Sequence, residues 1–155
     1  MEYFAEFYDF MTEYTEFLEE TAEKEKDKLS ALLSDDLKRI EHCLNEHQST
    51  IKKTELFEKE REKLQKRLGL GALTLKEIIE RCSDPEEKEM LEKIAVRFKT
   101  AIDNVKHANK TSLQVAQMNL QILENASPAV TDAKCYNAKG IPSIRKNMGI
   151  LNTKI

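Results

Sequence analysis

Chain breakers are scarce in this sequence. Its 155 residues include four glycines and three prolines, and the first 68 contain neither. A β-sandwich or an α/β enzyme of this length needs a Gly- or Pro-bearing turn roughly every ten residues. Those classes are therefore excluded and long helices are expected. Tryptophan is missing altogether. No apolar run nears the ~18 residues of a membrane-spanning helix, so no stable membrane insertion is expected. The N-terminus, Met1-Glu2-Tyr3-Phe4-Ala5-Glu6, has neither a basic stretch nor a cleavage site and does not read as a signal peptide. Three cysteines (Cys43, Cys82, Cys135) are odd in number, widely spaced and without CxxC. That suits a reducing cytoplasm better than a disulfide framework. The net charge of −3, with no basic patch broad enough for a phosphate backbone, argues against nucleic acid as a partner.

Catalytic constellations are missing as well. There is no GxSxG, P-loop or HExxH. A di-iron bundle needs Glu three residues before His, but Arg39, Leu44 and Asn104 stand three before His42, His47 and His107. Cys43 and His47, four apart on one helix, are two ligands short of a metal site. Neither enzymatic activity nor a cofactor is expected.

What is present is helical periodicity. Phe4, Phe7, Met11, Tyr14, Leu18 and Ala22 follow the 3,4 step of one helical face, continuing to Leu29, Leu32 and Leu33. A second stripe runs through Leu37, Ile40, Leu44, His47 and Ile51 to Leu64 and Leu68. The phase slips across Leu29 to Leu33, and Ser34-Asp35-Asp36 offers N-cap residues there. Breaking the chain at that point gives an antiparallel hairpin with arms of about 50 Å. One uninterrupted helix to Leu68, about 100 Å long, is the alternative. Gly69-Leu70-Gly71 ends the second stripe. Thr74-Leu75-Lys76-Glu77 is a capping box for a short helix to about Arg81. Asp84-Pro85-Glu86-Glu87 opens the last helix, which meets no Gly or Pro until Pro128. Its core stripe reads Leu91, Ile94, Phe98, Ile102, Val105, Asn109, Ala116, Leu120 and Leu123. The expected fold is all-α: an up-down-up bundle of three long antiparallel helices, a short linking helix and a loose C-terminal tail. Residues 1–126 form the bundle domain in this reading. Residues 127–155, with five basic residues against one acid, form a basic tail expected to stay loose until bound.

Two surfaces stand out. Residues 111–123 carry no charge in a chain that is 34% charged. Within them Val115, Met118 and Ile122 make a second apolar line, about 80° to 140° from the core stripe. The last helix should also project about 10 Å beyond the hairpin at the Ser34 end. An uncharged overhanging helix end is what a helix-in-groove site looks like. Leu113 and Asn119 share this segment. Self-association, or cover by the chain's own tail, is the competing reading. The second surface is aromatic: seven of the ten aromatics fall within residues 1–17. There Tyr3, Phe10 and Phe17 widen the first helix's apolar face so that it touches two neighbours. Ten acids against three lysines in residues 1–30 would repel anionic lipid.

In this order the segments resemble the FlgN-type flagellar export chaperones, over roughly residues 10–140. The parts are the Leu32-Leu33-Ser34-Asp35-Asp36-Leu37 turn, the Glu58–Leu68 charged run ending in Leu-Gly-Leu, and Thr74-Leu75-Lys76-Glu77-Ile78-Ile79. Asn109 ahead of the uncharged stretch and Tyr136-Asn137-Ala138-Lys139-Gly140 complete them. Lys106 stands where the family often has a second Asn. The resemblance implies a cytoplasmic chaperone that binds C-terminal helical segments of hook–filament junction proteins (FlgK and FlgL types). It would keep them unassembled and deliver them to the export gate. Client binding would fall to Leu113, Val115, Met118, Asn119 and Ile122, and gate docking to Tyr136. A coiled-coil adaptor or self-assembling scaffold is the alternative.

Overall fold

The computed structural model describes residues 4–126. Four helices follow one another: α1 (Phe4–Leu32), α2 (Leu37–Arg67), α3 (Leu75–Arg81) and α4 (Pro85–Ala126). The proposed tail, with Tyr136, and Tyr3 lie outside the described residues.

The chain breaks between α1 and α2 as the phase slip predicts, so the single 100 Å helix is not formed. Asp36 caps α2, its carboxylate accepting from the backbone N–H of Arg39 at 3.1 Å. At the far end of α2, Gly69 adopts φ +70°, a conformation that costs glycine little. The N–H groups of Leu68 and Leu70 close on the carbonyls of Leu64 and Gln65. Thr74 and Glu77 form the full capping box of α3. Asp84 accepts from the N–H groups of Glu86 and Glu87, leaving Pro85, which has no N–H, at the first helical position.

Cross-helix bonds give the topology. Glu6 with Arg67, Tyr14 with Glu58 and Glu25 with His47 run in opposite order along α1 and α2. Glu19 with Arg97, Lys28 with Asn109 and Leu32 with Asn119 run in the same order along α1 and α4. The bundle is therefore up-down-up, with α1 and α4 parallel. α1 packs along both neighbours, whereas α2 and α4 hardly touch.

The core fills the end away from the α1–α2 turn. Phe7, Met11, Tyr14, Leu18, Leu91, Ile94, Phe98 and Ile102 are buried there, closed from below by Leu75, Ile78 and Ile79 of α3. Tyr14 stacks flat on Phe57 (centroids 4.8 Å, 2°) and meets the edge of Phe98 at 5.1 Å. Phe10 and Phe17 close on Phe57 as well, so the wide aromatic face of α1 serves two neighbours as expected.

Above Ala22 the interior turns polar. The buried face of α1 continues through Glu25, Lys28 and Ala31, rather than through Leu29 and Leu33 as the stripe implies. Glu25 sits 2.5 Å from the Lys28 ammonium and 2.7 Å from His47 Nδ1. Lys28 also reaches Asn109 Oδ1 at 3.3 Å. All three long helices thus meet in one polar layer. Burial alone would raise the pKa of Glu25, but the His47 hydrogen bond and the Lys28 charge outweigh it and hold the carboxyl below its ordinary value.

The stripe assigned to the first half of α2 needs correction. Leu37 and Leu44 are exposed, and Ile40, His47 and Ile51 are only half-buried. The described burial in this helix is at Thr54, Leu64 and Gln65. The cause is geometric: near the turn α2 leans on α1 alone, and the part of α1 it meets is the polar layer.

Candidate functional site

The uncharged segment lies in the last four to five turns of α4. Upstream, Leu91, Ile94, Phe98, Ile102 and Val105 face the core as the spacing predicts. Beyond the polar layer the buried residue is Ser112, whose hydroxyl finds no protein partner. Asn109, Ala116 and Leu120 are half-buried. Leu123, assigned to the core stripe, is exposed instead, because α1 ends at Leu32 and leaves nothing for it to pack on.

The crossing point is marked by Asn119. Its amide Nδ2 donates to the carbonyl oxygen of Leu32 at 3.2 Å, one of the four carbonyls that a helix C-terminus leaves without an intrahelical partner. A residue assigned to client contact thus also ties α4 to the end of α1, while remaining exposed itself. From Leu120 to Ala126 the helix extends past that tie by about 10 Å, as the length comparison predicts.

Of the other site residues, Leu113 and Val115 are half-buried, and Met118 and Ile122 stand 61% and 62% exposed. Met118 and Ile122 are one turn apart and open to solvent together. Val115 flanks them lower on the same line, whereas Leu113, five residues before Met118, lies about 140° round the helix from it.

The reading by periodicity missed part of this surface. Leu33 (69% exposed), Leu37 (79%) and Leu123 (59%) are also bare, and all belong to the end where α1 stops, α2 starts and α4 overhangs. Most of the exposed large hydrophobics among the described residues gather at this end. The available signal was the placement of Glu25 and Lys28 on the α1 stripe. Charged residues there leave no apolar interior for Leu33, Leu37 or Leu44 to join.

Chemically, the surface can bury apolar side chains and exchange hydrogen bonds through Gln114, Gln117 and Gln121, without selecting a charge. No described group of three or more His, Cys, Asp or Glu side chains is placed to hold a metal. His47, half of the sequence's weak metal pair, is bonded to Glu25 instead. Among the described residues no helix is long and apolar enough to cross a membrane.

No curated protein and no solved structure matches the chain. The family described as FlgN protein does, its model matching residues 1–142. That span takes in the whole helical bundle and reaches beyond Tyr136, and the chain belongs to the FlgN family of flagellar export chaperones.

Proposed function

We propose that this chaperone works in the cytoplasm on hook–filament junction proteins of the FlgK and FlgL types, binding their C-terminal helical segments. It keeps them unassembled and delivers them to the export gate. The observation that supports this reading is the exposed Met118–Ile122 pair on a charge-free, overhanging helix. An amphipathic client segment laid along Val115, Met118 and Ile122 hides the apolar surface of both molecules. Met118 suits such a role because its unbranched thioether side chain adapts to differently shaped partners. Leu113 and Asn119 border the contact. Such binding needs neither cofactor nor metal. Tyr136, by its place in the Tyr-x-x-x-Gly element, takes the gate-docking role.

The test is co-expression with a junction-protein C-terminal segment, followed by measurement of complex mass. A one-to-one complex is expected, lost in Met118→Glu with an unchanged thermal melt. A chain that ignores the segment refutes the reading and favours the scaffold alternative. Tyr136→Ala is expected to retain the complex and block delivery; equal loss of both removes the gate assignment.

A further inference from the structure

The aliphatic strip that α2 leaves bare has a match elsewhere in the chain. Leu37, Ile40, Leu44, His47 and Ile51 step by 3, 4, 3 and 4 residues, the spacing of a helix that pairs with another helix. Ile141, Ile144, Met148, Leu151 and Ile155 step by 3, 4, 3 and 4 as well. We propose that residues 141–155 dock as a helix on this strip of α2, parallel to it and in register, with Met148 against Leu44. This docking is independent of what α4 binds.

Within the bundle the strip has no partner. Leu37 and Leu44 are 79% and 44% exposed, with Ile40 and Ile51 half-buried beside them. At 100° per residue these four side chains fall within about 60° of one another. On one side α1 is held through the His47–Glu25 bond, and α4 hardly touches α2. The open edge is about 21 Å long. A single exposed leucine needs no account, but a seam of this length at helix-pairing spacing does.

The C-terminal segment suits that seam in composition, length and reach. Its other positions are mostly polar, with Arg145, Lys146, Asn147, Asn152, Thr153 and Lys154 among them, and Ile150 is the one large apolar residue off the seam. Pro142 fits a first helical turn. Gly149 weakens the helix, and fifteen residues are marginal alone in water, so the helix forms against α2 rather than before it. α4 ends at Ala126, at the end of the bundle where α2 begins. Residues 127–140 can span about 45 Å when extended, more than two helix diameters. Entering beside Leu37, the segment runs back along the bundle in the direction of α2, which makes the parallel register the one with the shortest connection. Both seams then measure about 21 Å and coincide from Leu37 with Ile141 to Ile51 with Ile155. A linker of this length holds the segment at an effective concentration in roughly the millimolar range. Docked and free forms are then comparably populated, so docking covers the bare half of α2 while adding little to global stability.

Disulfide trapping in the full-length chain tests this. Cys43→Ser and Cys135→Ser clear the background, and Cys82, which is buried, stays. Leu44 and Met118 are exposed, so the bundle tolerates cysteine at either. With Leu44→Cys and Met148→Cys, mild oxidation should cross-link the chain internally at least about tenfold faster than with Leu44→Cys and Ile155→Cys, a pair one heptad out of register. Adding Ile144→Asp should bring the fast pair down to the slow rate, because the tether is intact and the seam is broken. Met118→Cys with Met148→Cys reports cover of α4 in the same way and should be slow. Equal rates for the two Leu44 pairs, a fast rate that survives Ile144→Asp, or faster trapping at Met118 than at Leu44 each overturns the proposal. A cross-link found only between two chains overturns it as well, making a second copy the occupant.

Discussion

His47 Nδ1 lies 2.7 Å from Glu25 Oε1, joining α2 to α1 where the interior of the bundle is polar. The same carboxylate faces the Lys28 ammonium, and both α1 side chains are almost wholly buried. A buried pair of this kind contributes little over an apolar substitute, but breaking it strands a charge.

Glu25→Gln should therefore destabilise the fold by about 3–5 kcal/mol at neutral pH, measured by urea unfolding. The carboxyl's folded pKa is depressed below 4.5, so its contribution is complete above that value. It falls away as pH drops through the folded pKa, because the unfolded chain takes up the proton first. The variant should lose less stability than the wild type over that acid window.

Tyr14 donates to Glu58 Oε1 at 2.6 Å from the middle of the aromatic cluster. Tyr14→Phe should cost about 1–2 kcal/mol, since Glu58 keeps Arg61 as a second partner. Tyr14→Ala should cost about 3–5 kcal/mol through the cavity it leaves. Burial first, then the Glu58 carboxylate, push the phenol above its ordinary 10.0. The unfolded chain therefore releases this proton before the folded one does. Stability falls as pH rises beyond about 10 in the wild type, and Tyr14→Phe should blunt that fall.

Leu44 and Leu64 occupy one predicted stripe on α2 and have opposite environments, exposed and buried. Leu44→Gln should change the unfolding free energy by less than about 0.5 kcal/mol, whereas Leu64→Ala should cost about 2–5 kcal/mol. Equal costs would show that the first half of α2 is packed after all.

Helix ends were legible from sequence where a side chain does the capping. Asp36, Thr74 and Asp84 hold the N–H groups their spacing predicts, because that chemistry is local. The lower core was legible for a related reason: Phe7, Met11, Tyr14 and Leu18 repeat at helical period and have apolar partners on two other helices. Periodicity failed in the upper half, where it registers that Leu37 and Leu44 share a face but not that the face has no partner. That outcome depends on α1 presenting Glu25 and Lys28 at the same height, a relation between helices that no single stripe contains. Leu123 was misplaced in the same way, since its burial depends on where another helix stops. The exposed line through Met118 and Ile122 could be read because missing charge, unlike burial, is a property of the segment itself.

Because α1 packs along both α2 and α4, its shelter is completed only when the later of these two neighbours is made. Phe7, Met11 and Leu18 share a core cluster with Leu91, Phe98 and Ile102, so their shelter is unfinished until about the hundredth residue has emerged. At roughly 5–20 residues per second, the aromatic face of α1 spends several seconds with only α2 against it. The nascent chaperone is then itself a chain with uncovered apolar surface, and it leaves that condition only as α4, the helix with the proposed client site, is made.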